Sequence, residues 1–310
     1  MDLLSNTFKP SSNAPRRPRT AVEITPQGAL AGTLAAAGQA TAYAFAALPE
    51  GALTPGIGEA NIRTPEVVAE ALRTALEATS PHSHSITLVV PDMTARVFVL
   101  DFDSLPEKTA EALPVLRFRL RKMVPFDVEH AAVSYQRLAH NGGQDGAGAI
   151  KVLATIMPGP VLAEYETAAR AAGYEPGVVM PSSLAALAAL ESLEPILAAN
   201  LSSLSLTTSI TSGQDLLLYR TIELPTDIAA RAGEVQRSVE VAAAFYEDKL
   251  SAPARQLHYA GAVDVHEFAR SVDNTGLEVV EMAPAPATGA TTALGPVGFA
   301  GVAGALAGVA

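Results

Sequence analysis

Few residues in this sequence have the types and spacing of a chemical site. His82 and His84 lie two apart in a polar stretch, and Asp101 and Asp103 flank a phenylalanine at a predicted strand end. Two histidines lack the further ligands of a zinc site, and we expect the aspartates to face solvent or to cap the next helix. No nucleophile elbow, P-loop or G-x-G-x-x-G motif occurs. The residues alone predict no catalytic residue and no metal site.

Charge and composition restrict the class of partner further. The chain has 310 residues, a formal charge of −11, 49% apolar residues and no cysteine. A net negative charge argues against nucleic-acid binding through a basic surface. The absence of cysteine excludes disulfides, thiolate catalysis and Cys-based zinc sites. The composition is that of a globular protein with a substantial core.

A cluster of positive charge stands out against this acidic background. Four cations fall within six residues near the end of a predicted helix: Arg117, Arg119, Arg121 and Lys122. One interpretation is a solvated helix face that neighbouring acidic residues balance. The other is a surface complementary to an acidic partner or to lipid head groups. Both interpretations stay open at the level of sequence.

The segment after this cluster is predicted to be a joint. Pro125 stops the helix, because the residue before a proline is pushed out of helical conformation. Phe126 is expected to be a core anchor, with a direct partner contact as the alternative. The alternating segment that reaches Tyr135 predicts one strand of a hairpin. An edge strand there, or in the first meander, could take a partner peptide by strand addition or in a groove.

The elements that position these residues form a repeated pattern. Weak alternation over 21–48 predicts a strand meander, and Thr64 with Pro65 begins a clear helix. Strands, helices and a hairpin follow in 86–180, and an apolar helix is predicted over 182–199. A second meander and a long amphipathic helix come next. Two meander-plus-helix halves around an inserted α+β module indicate a duplicated, bilobed α/β fold.

The two ends of the chain are predicted to differ. Residues 1–20 are rich in proline, serine and arginine and are expected to be a disordered tail without a signal peptide. From Met282 to Ala310 there is no charged residue, but glycine, alanine and Pro296 dilute the apolar run. A membrane span needs about 20 strongly apolar residues. We therefore expect a small-residue helix packed inside the protein, with a membrane anchor as the alternative.

Two stretches resemble the bacterial type IV pilus assembly protein PilM family. They are "ALPEGALTPGIGEANIRTPEVVAEALRTALE" and "LPEKTAEALPVLRFRLRKMVPFDVEHAAVSYQRL", in which the spacing of "LPEK", "VPF" and "SYQ" carries the match. The resemblance implies an actin-like ATPase (ribonuclease H-like) fold, related to FtsA and to the cytoplasmic domain of the type II secretion L protein. It also implies a cytoplasmic platform component that binds the tail of the membrane protein PilN in a groove beside the inserted module.

With this fold, the resemblance implies a division of the chain. The tail at 1–20 is followed by the first part of one lobe at 21–85 and by the inserted module at 86–180. The second lobe takes 181–310, and its C-terminal helix is expected to return to the first lobe.

The nucleotide-binding motifs of such a fold are degenerate in this sequence. Relative to the family pattern, Glu23 stands where the first motif has Asp and Thr25 where it has Gly. Asn200 and Ser202 replace the Asp and Gly of the second motif, and the adenosine loop keeps Gly261. Glycines let backbone amides approach phosphates, and the carboxylates orient magnesium and water. We therefore expect no ATP hydrolysis, although residual binding of ATP and magnesium is left open.

These observations lead to one main hypothesis and two alternatives. The main one is a non-hydrolysing PilM-like scaffold at the cytoplasmic face of the inner membrane, which contacts the membrane only through a PilN-like tail. Its further partners could include an assembly ATPase and a second copy. The residues expected to contact the partner are Arg117, Arg121, Pro125, Phe126 and Tyr135. The alternatives are an ATP-binding actin-like ATPase and an FtsA-like or secretion-L-like protein recruited to the membrane.

Overall fold

The computed structural model describes residues 17–35, 41–58, 60–138, 149–190, 192–283 and 298–307. Three predicted features lie wholly or mostly outside this range: the tail up to residue 16, the hairpin loop at 139–148, and the C-terminal run between 284 and 297.

The described residues form thirteen strands and seven α-helices. The strands are β1 (Thr20–Thr25), β2 (Gly28–Thr33), β3 (Ala42–Ala47), β4 (Ser85–Val90), β5 (Arg96–Phe102), β6 (Ala132–Arg137), β7 (Ile150–Met157), β8 (Glu175–Pro181), β9 (Ile196–Leu201), β10 (Ser205–Ser212), β11 (Asp215–Glu223), β12 (Gln256–Gly261) and β13 (Glu278–Glu281). The helices are α1 (Pro65–Ala78), α2 (Thr109–Leu120), α3 (Gly159–Ala171), α4 (Ser182–Leu187), α5 (Ile228–Leu250), α6 (Val265–Ser271) and α7 (Ala300–Ala307).

Two five-stranded sheets share one topology. The first has the order β3-β2-β1-β4-β8 and the second the order β11-β10-β9-β12-β13. In each sheet, three consecutive strands form an antiparallel meander. The first strand of that meander, β1 or β9, also pairs in parallel with a fourth strand, β4 or β12. The fifth strand, β8 or β13, pairs in parallel with the fourth. The duplication expected from the repeated sequence pattern is thus present in the strand order.

Each sheet has its own helices and core. In the first, α1 and α3 pack over the sheet, and Val68, Leu72 and Leu76 are wholly buried on the apolar side of α1. In the second, α5 packs on the sheet through Val235 and Val239. The long helix begins at Asp227, whose carboxylate accepts a hydrogen bond from the Ala230 amide at 2.8 Å.

The inserted module is smaller than the predicted 86–180. A three-stranded antiparallel sheet of order β5-β7-β6 packs on α2 around Leu116, Leu120 and Ile156. Strands β4 and β8, which the predicted module included, instead pair with the first sheet. Strand β4 is buried from Ile86 to Val90, and β8 has a short apolar run at Val178–Met180. Such runs do not reveal to which sheet a strand belongs.

The predicted apolar helix over 182–199 is wrong beyond its first turns. Helix α4 ends at Leu187, and Ile196–Leu201 is strand β9 at the centre of the second sheet. Pro195 cannot continue a helix, and a strand buried on both faces has the same continuous apolar run as a buried helix. The second lobe therefore starts its sheet four residues before Asn200.

Helix α7 brings the end of the described chain back to the first sheet. Val302, Ala305 and Leu306 are buried against Ala21, Leu30 and Val89 of β1, β2 and β4. Small residues permit this close approach: a side chain at position 304 would overlap the backbone of Ala185 in α4. Among the described residues there is no helix that is long and apolar enough to cross a membrane.

Candidate functional site

A cleft lined by residues of both sheets lies between them, with several polar side chains in its wall. β1 and β4 are parallel neighbours in the first sheet, and β9 and β12 are parallel neighbours in the second. Ligands of open α/β sheets bind at the carboxyl ends of such strands. All five residues predicted for a degenerate nucleotide site line this one cleft: Glu23, Thr25, Asn200, Ser202 and Gly261.

Glu23 is the buried carboxylate on the side of the first sheet. It lies within β1, opposite Leu30 of β2, and is 7% exposed. Its Oε1 accepts a hydrogen bond from the Ser182 hydroxyl at 2.5 Å. The first turn of α7 lies against it, since any side chain at position 301 would overlap the carboxylate. Burial, with a smaller contribution from the charge of Asp92, raises the pKa of Glu23 to about 7.

Asp92 is a second buried carboxylate, which the sequence reading missed. It accepts hydrogen bonds from the amide and hydroxyl of Ser183 at 3.0 and 2.5 Å, from Thr207 at 3.1 Å and from Tyr219 at 3.0 Å. Burial raises its pKa, although these four donors oppose the shift. A signal was present: "VVPD" puts an aspartate, after one intervening proline, beyond the end of a buried apolar strand.

Asn200 connects the cleft from the side of the second sheet. Its amide donates to the hydroxyls of Ser182 at 3.1 Å and Ser183 at 2.9 Å, which start α4. The pairs of β9 with β10 and β12 fix its position in the sheet centre. The two carboxylates and the two sheets therefore belong to a single hydrogen-bond network.

The hairpin loop of the first sheet is closed by its own residues. Thr25 Oγ1 donates to the Gly28 carbonyl at 3.1 Å across the two-residue turn between β1 and β2. Pro26 in that turn has no backbone N–H. This loop therefore lacks one of the amides that a phosphate would need.

The hairpin loop of the second sheet also binds its own backbone amides, through a side chain of the same loop. Ser202 Oγ accepts from the amides of Leu204 at 3.2 Å and Ser205 at 2.9 Å. From outside, Arg231 donates to the carbonyls of Ser202 and Ser203 at 2.8 and 2.7 Å. Two amides that could face a ligand are thus already hydrogen-bonded inside the turn.

Gly261, at the end of β12, allows a close approach of three segments. A side chain there would overlap the Tyr259 hydroxyl and the Leu201 carbonyl, and Gly298 lies directly against its backbone. The free volume of the cleft is only about 50 Å³. Such a volume holds a few water molecules. The residues present, with their amides occupied and the start of α7 against Glu23, do not fit a magnesium nucleotide.

The residues predicted for partner contact lie in the inserted module, and several serve its interior. Arg117 donates to the Val128 and Ala131 carbonyls, and so ties α2 to the following loop. Phe126 and Tyr135 are partly buried against the module core, as expected of an anchor for Phe126. Regular helix ends at Leu120, and a turn carries the chain to the exposed Pro125.

The outer face of α2 remains open. We use this name for five exposed residues on and just after the helix: Val115, Phe118, Arg119, Lys122 and Met123. The Phe118 side chain is 67% exposed. Arg121 is paired with Glu129, whereas within the described parts of the chain Arg119 and Lys122 have no ion-pair partner. Large exposed aromatic side chains with neighbouring cations are typical of interaction surfaces.

A separate apolar groove runs between α1 and α3. Its volume is about 550 Å³, and its walls consist mostly of small or apolar side chains: Ala60, Ile62, Pro65, Ala69, Pro160, Ala163, Ala168 and Ala171. Glu164 in the wall accepts hydrogen bonds from the amides of Asn61 and Ile62 at 2.7 and 2.9 Å, which fixes the rim. At one end the wall includes Pro160, and the preceding Gly159 lies against the His130 carbonyl in the loop after α2.

The other titratable pairs noted in the sequence do not form sites. His84 Nδ1 is 2.8 Å from the Gly173 carbonyl, His82 is exposed, and Asp101 accepts from Lys151 at 2.7 Å. Asp103 is exposed. Across the ranges that the structure describes, no group of acidic residues and histidines is arranged to hold a metal ion.

Comparison with solved structures identifies the fold. A chain from a PilM–PilN type IV pilus biogenesis complex superposes with a TM-score of 0.74 at 17% identity, over 96% of this chain and 100% of that one. A Bacteroides thetaiotaomicron protein with an actin-like ATPase fold and unknown function has a TM-score of 0.51 at 10% identity, over 86% and 91%. The chain has the actin-like ATPase fold.

The actin-like fold confirms the fold expected from the resemblance. A weaker likeness, with a TM-score of 0.47 and 14% identity, covers 77% of this chain and 81% of the cytoplasmic domain of EpsL, an inner-membrane component of the Vibrio cholerae type II secretion system. No protein-family model and no curated protein matches the sequence.

Proposed function

We propose that this chain is a PilM-like scaffold of a type IV pilus or related secretion assembly platform. In this role it binds the cytoplasmic tail of a PilN-like inner-membrane protein, lies at the cytoplasmic face of that membrane, and does not hydrolyse ATP. The observation that carries the proposal is the likeness to a chain of a PilM–PilN complex, which runs through nearly the whole length of both chains. The spacing of "LPEK", "VPF" and "SYQ" adds independent support.

The groove between α1 and α3 is the surface best suited to such a tail. It is apolar, has about 550 Å³ of free volume, and ends beside the loop that follows α2. A short extended segment with apolar side chains could bury them against the alanines of the two helices. Burial of apolar area would supply most of the binding free energy. The outer face of α2 is then left for a second contact, for example with an assembly ATPase or a second copy.

Titration of the chain with the N-terminal tail peptide of the PilN-like protein from the same genome tests the proposal. We expect saturable binding by calorimetry and a rise in the melting temperature, because a ligand that binds only the folded state stabilises it. Absence of binding by that cognate tail would contradict the proposed function.

Two variants test whether the tail binds in this groove, separately from whether it binds at all. Ala163→Trp fills the groove from an exposed position on α3, and Ala244→Trp makes the same change at an exposed position on α5. We expect the first to abolish tail binding and the second to leave it unchanged. Equal binding by both variants would move the tail away from the groove while leaving the scaffold function intact.

Nucleotide binding is the alternative that one observation favours. Ser203 lines the cleft, and its buried hydroxyl has no hydrogen-bond partner among the described residues, so it could donate to a phosphate. Calorimetry with Mg-ATP decides between the two. Micromolar affinity would support an ATP-binding protein, whereas we expect no detectable heat, because the loop amides are already hydrogen-bonded.

Recruitment to a membrane through the C-terminal segment is the weaker alternative. Val302 and Leu306 are buried against the first sheet, so helix α7 is not free to insert into lipid. Comparing the vesicle co-sedimentation of the full chain with that of a chain ending before Leu294 tests it. We expect no binding that depends on the segment.

A further inference from the structure

The Asn200 amide stands at the centre of a branched set of hydrogen bonds. Its Nδ2 donates one hydrogen to Ser182 Oγ at 3.1 Å and the other to Ser183 Oγ at 2.9 Å. The two serines begin α4, whereas Asn200 belongs to β9 of the second sheet. Both hydrogens of one amide are therefore used to hold two neighbouring hydroxyls in fixed orientations.

Each hydroxyl passes its own hydrogen to a different carboxylate. Ser182 Oγ donates to Glu23 Oε1 and Ser183 Oγ donates to Asp92 Oδ2, both at 2.5 Å. Glu23 and Asp92 are each 7% exposed. One amide thus connects two buried carboxylates of the first sheet to the central strand of the second.

Two buried carboxylates require compensation, which a cation commonly supplies. Among the described residues that line this cleft there is no lysine, arginine or histidine. Hydrogen-bond donors take that place instead. Asp92 alone receives four, two of them from Thr207 and Tyr219 of the second sheet at 3.1 and 3.0 Å.

The donor set is wrong for a divalent cation. Magnesium needs oxygen lone pairs that converge on one point. At this point Asn200 presents N–H groups, and its hydrogens occupy acceptor positions on both serines. In the family motif that this segment resembles, the same position is an aspartate, which would present oxygens.

We propose that Asn200, acting through Ser182 and Ser183, replaces a divalent cation as the link between the two lobes, so that the cleft stays closed without metal or nucleotide. Closure is then a permanent property of the chain rather than a response to a ligand. This inference does not depend on whether a membrane-protein tail binds, and its failure would leave the proposed tail binding untouched.

The substitution Asn200→Asp tests the inference because it is nearly isosteric and exchanges two donors for a third carboxylate. Without divalent cations, we expect the melting temperature of the variant to fall by roughly 10 °C, since several buried charged groups lose their compensation. Millimolar magnesium chloride should recover a large part of that loss. The exposed Asn274→Asp serves as the matched control and should melt like the original chain under both conditions.

The unmodified chain provides a second measurement that does not require a folded variant. Its melting temperature and its radius of gyration by small-angle scattering should be the same in EDTA, in magnesium chloride and in Mg-ATP. A magnesium-dependent rise in its melting temperature, or compaction on addition of Mg-ATP, would overturn the inference. So would an Asn200→Asp variant that melts like the original chain in EDTA.

Discussion

The cleft between the sheets and the outer face of α2 differ in whether the chain itself supplies partners for their side chains. In the cleft, both Glu23 and Asp92 are buried and accept hydrogen bonds from the chain itself. On the outer face, Phe118 is 67% exposed, and Arg119 has no ion-pair partner in the portion that the structure describes. Buried polar groups cost free energy unless they are paired, whereas exposed ones cost little. The buried carboxylates of the cleft are therefore compensated within the chain, whereas the outer face presents side chains that the described residues leave uncovered.

The sharpest test of this contrast is Asp92→Ala. The change leaves the amide and hydroxyl of Ser183 and the hydroxyls of Thr207 and Tyr219 without their acceptor. We expect the free energy of unfolding to fall by about 3–5 kcal/mol, measured by urea denaturation. The exposed Asp103→Ala should change it by less than about 0.5 kcal/mol. A loss below about 1 kcal/mol for Asp92→Ala would mean that the network does not stabilise the chain.

The pH dependence of stability is the second test. The pKa of Glu23 is raised from 4.5 in the unfolded chain to about 7 in the folded one. Between these values the folded state binds more protons than the unfolded state, so stability is full below pH 4.5 and is lost as pH rises through 7. One pKa unit corresponds to about 1.4 kcal/mol, which makes the loss at most about 3.5 kcal/mol.

Glu23→Gln checks this assignment, because it removes the titrating group but keeps its size. We expect the variant to lose less stability than the original chain between mildly acidic and neutral pH. The raised pKa of Asp92 acts in the same direction, so some slope should remain. An unchanged slope in Glu23→Gln would show that Glu23 is already ionised in the folded protein.

Sequence reasoning found residues of the cleft but missed part of its hydrogen-bond network. Glu23, Asn200 and Gly261 were located through the family pattern, and the structure brings them together. Asp92 was missed although it follows a buried apolar strand closely. Tyr219 was missed because a hydrogen bond between residues 127 positions apart leaves no trace in local spacing. Strand β9 was missed for a different reason: a strand buried on both faces has no period-2 pattern.

The inserted module shows the same limit of prediction from local sequence. The sequence placed its hairpin and helix well, but it treated all four cations near the end of α2 as one cluster. In the structure, Arg117 faces inward to backbone carbonyls and Arg119 faces outward. Which cation is structural depends on the loop at 124–131, whose path no helical periodicity predicts.

A pair of arginine substitutions therefore tests whether Arg117 and Arg119 have different roles in α2. Arg117→Ala removes the hydrogen bonds to the Val128 and Ala131 carbonyls, and we expect a loss of about 1–2 kcal/mol of unfolding free energy. Arg119→Ala, on the same helix, should cost less than about 0.5 kcal/mol. Equal losses measured by urea denaturation would show that the two arginines have the same role and that the outer face is not open.

The smallest expected effect on stability is that of Phe118→Ser. Because its side chain is already 67% exposed, removing the ring gives up little buried area, and we expect a change below about 0.5 kcal/mol. Leu116→Ala, two positions away and wholly buried in the module core, should cost about 2–5 kcal/mol. A loss above about 1 kcal/mol for Phe118→Ser would mean that something covers the ring in solution. A second copy of the chain is the first candidate, and sedimentation equilibrium would then show a dimer that the variant lacks.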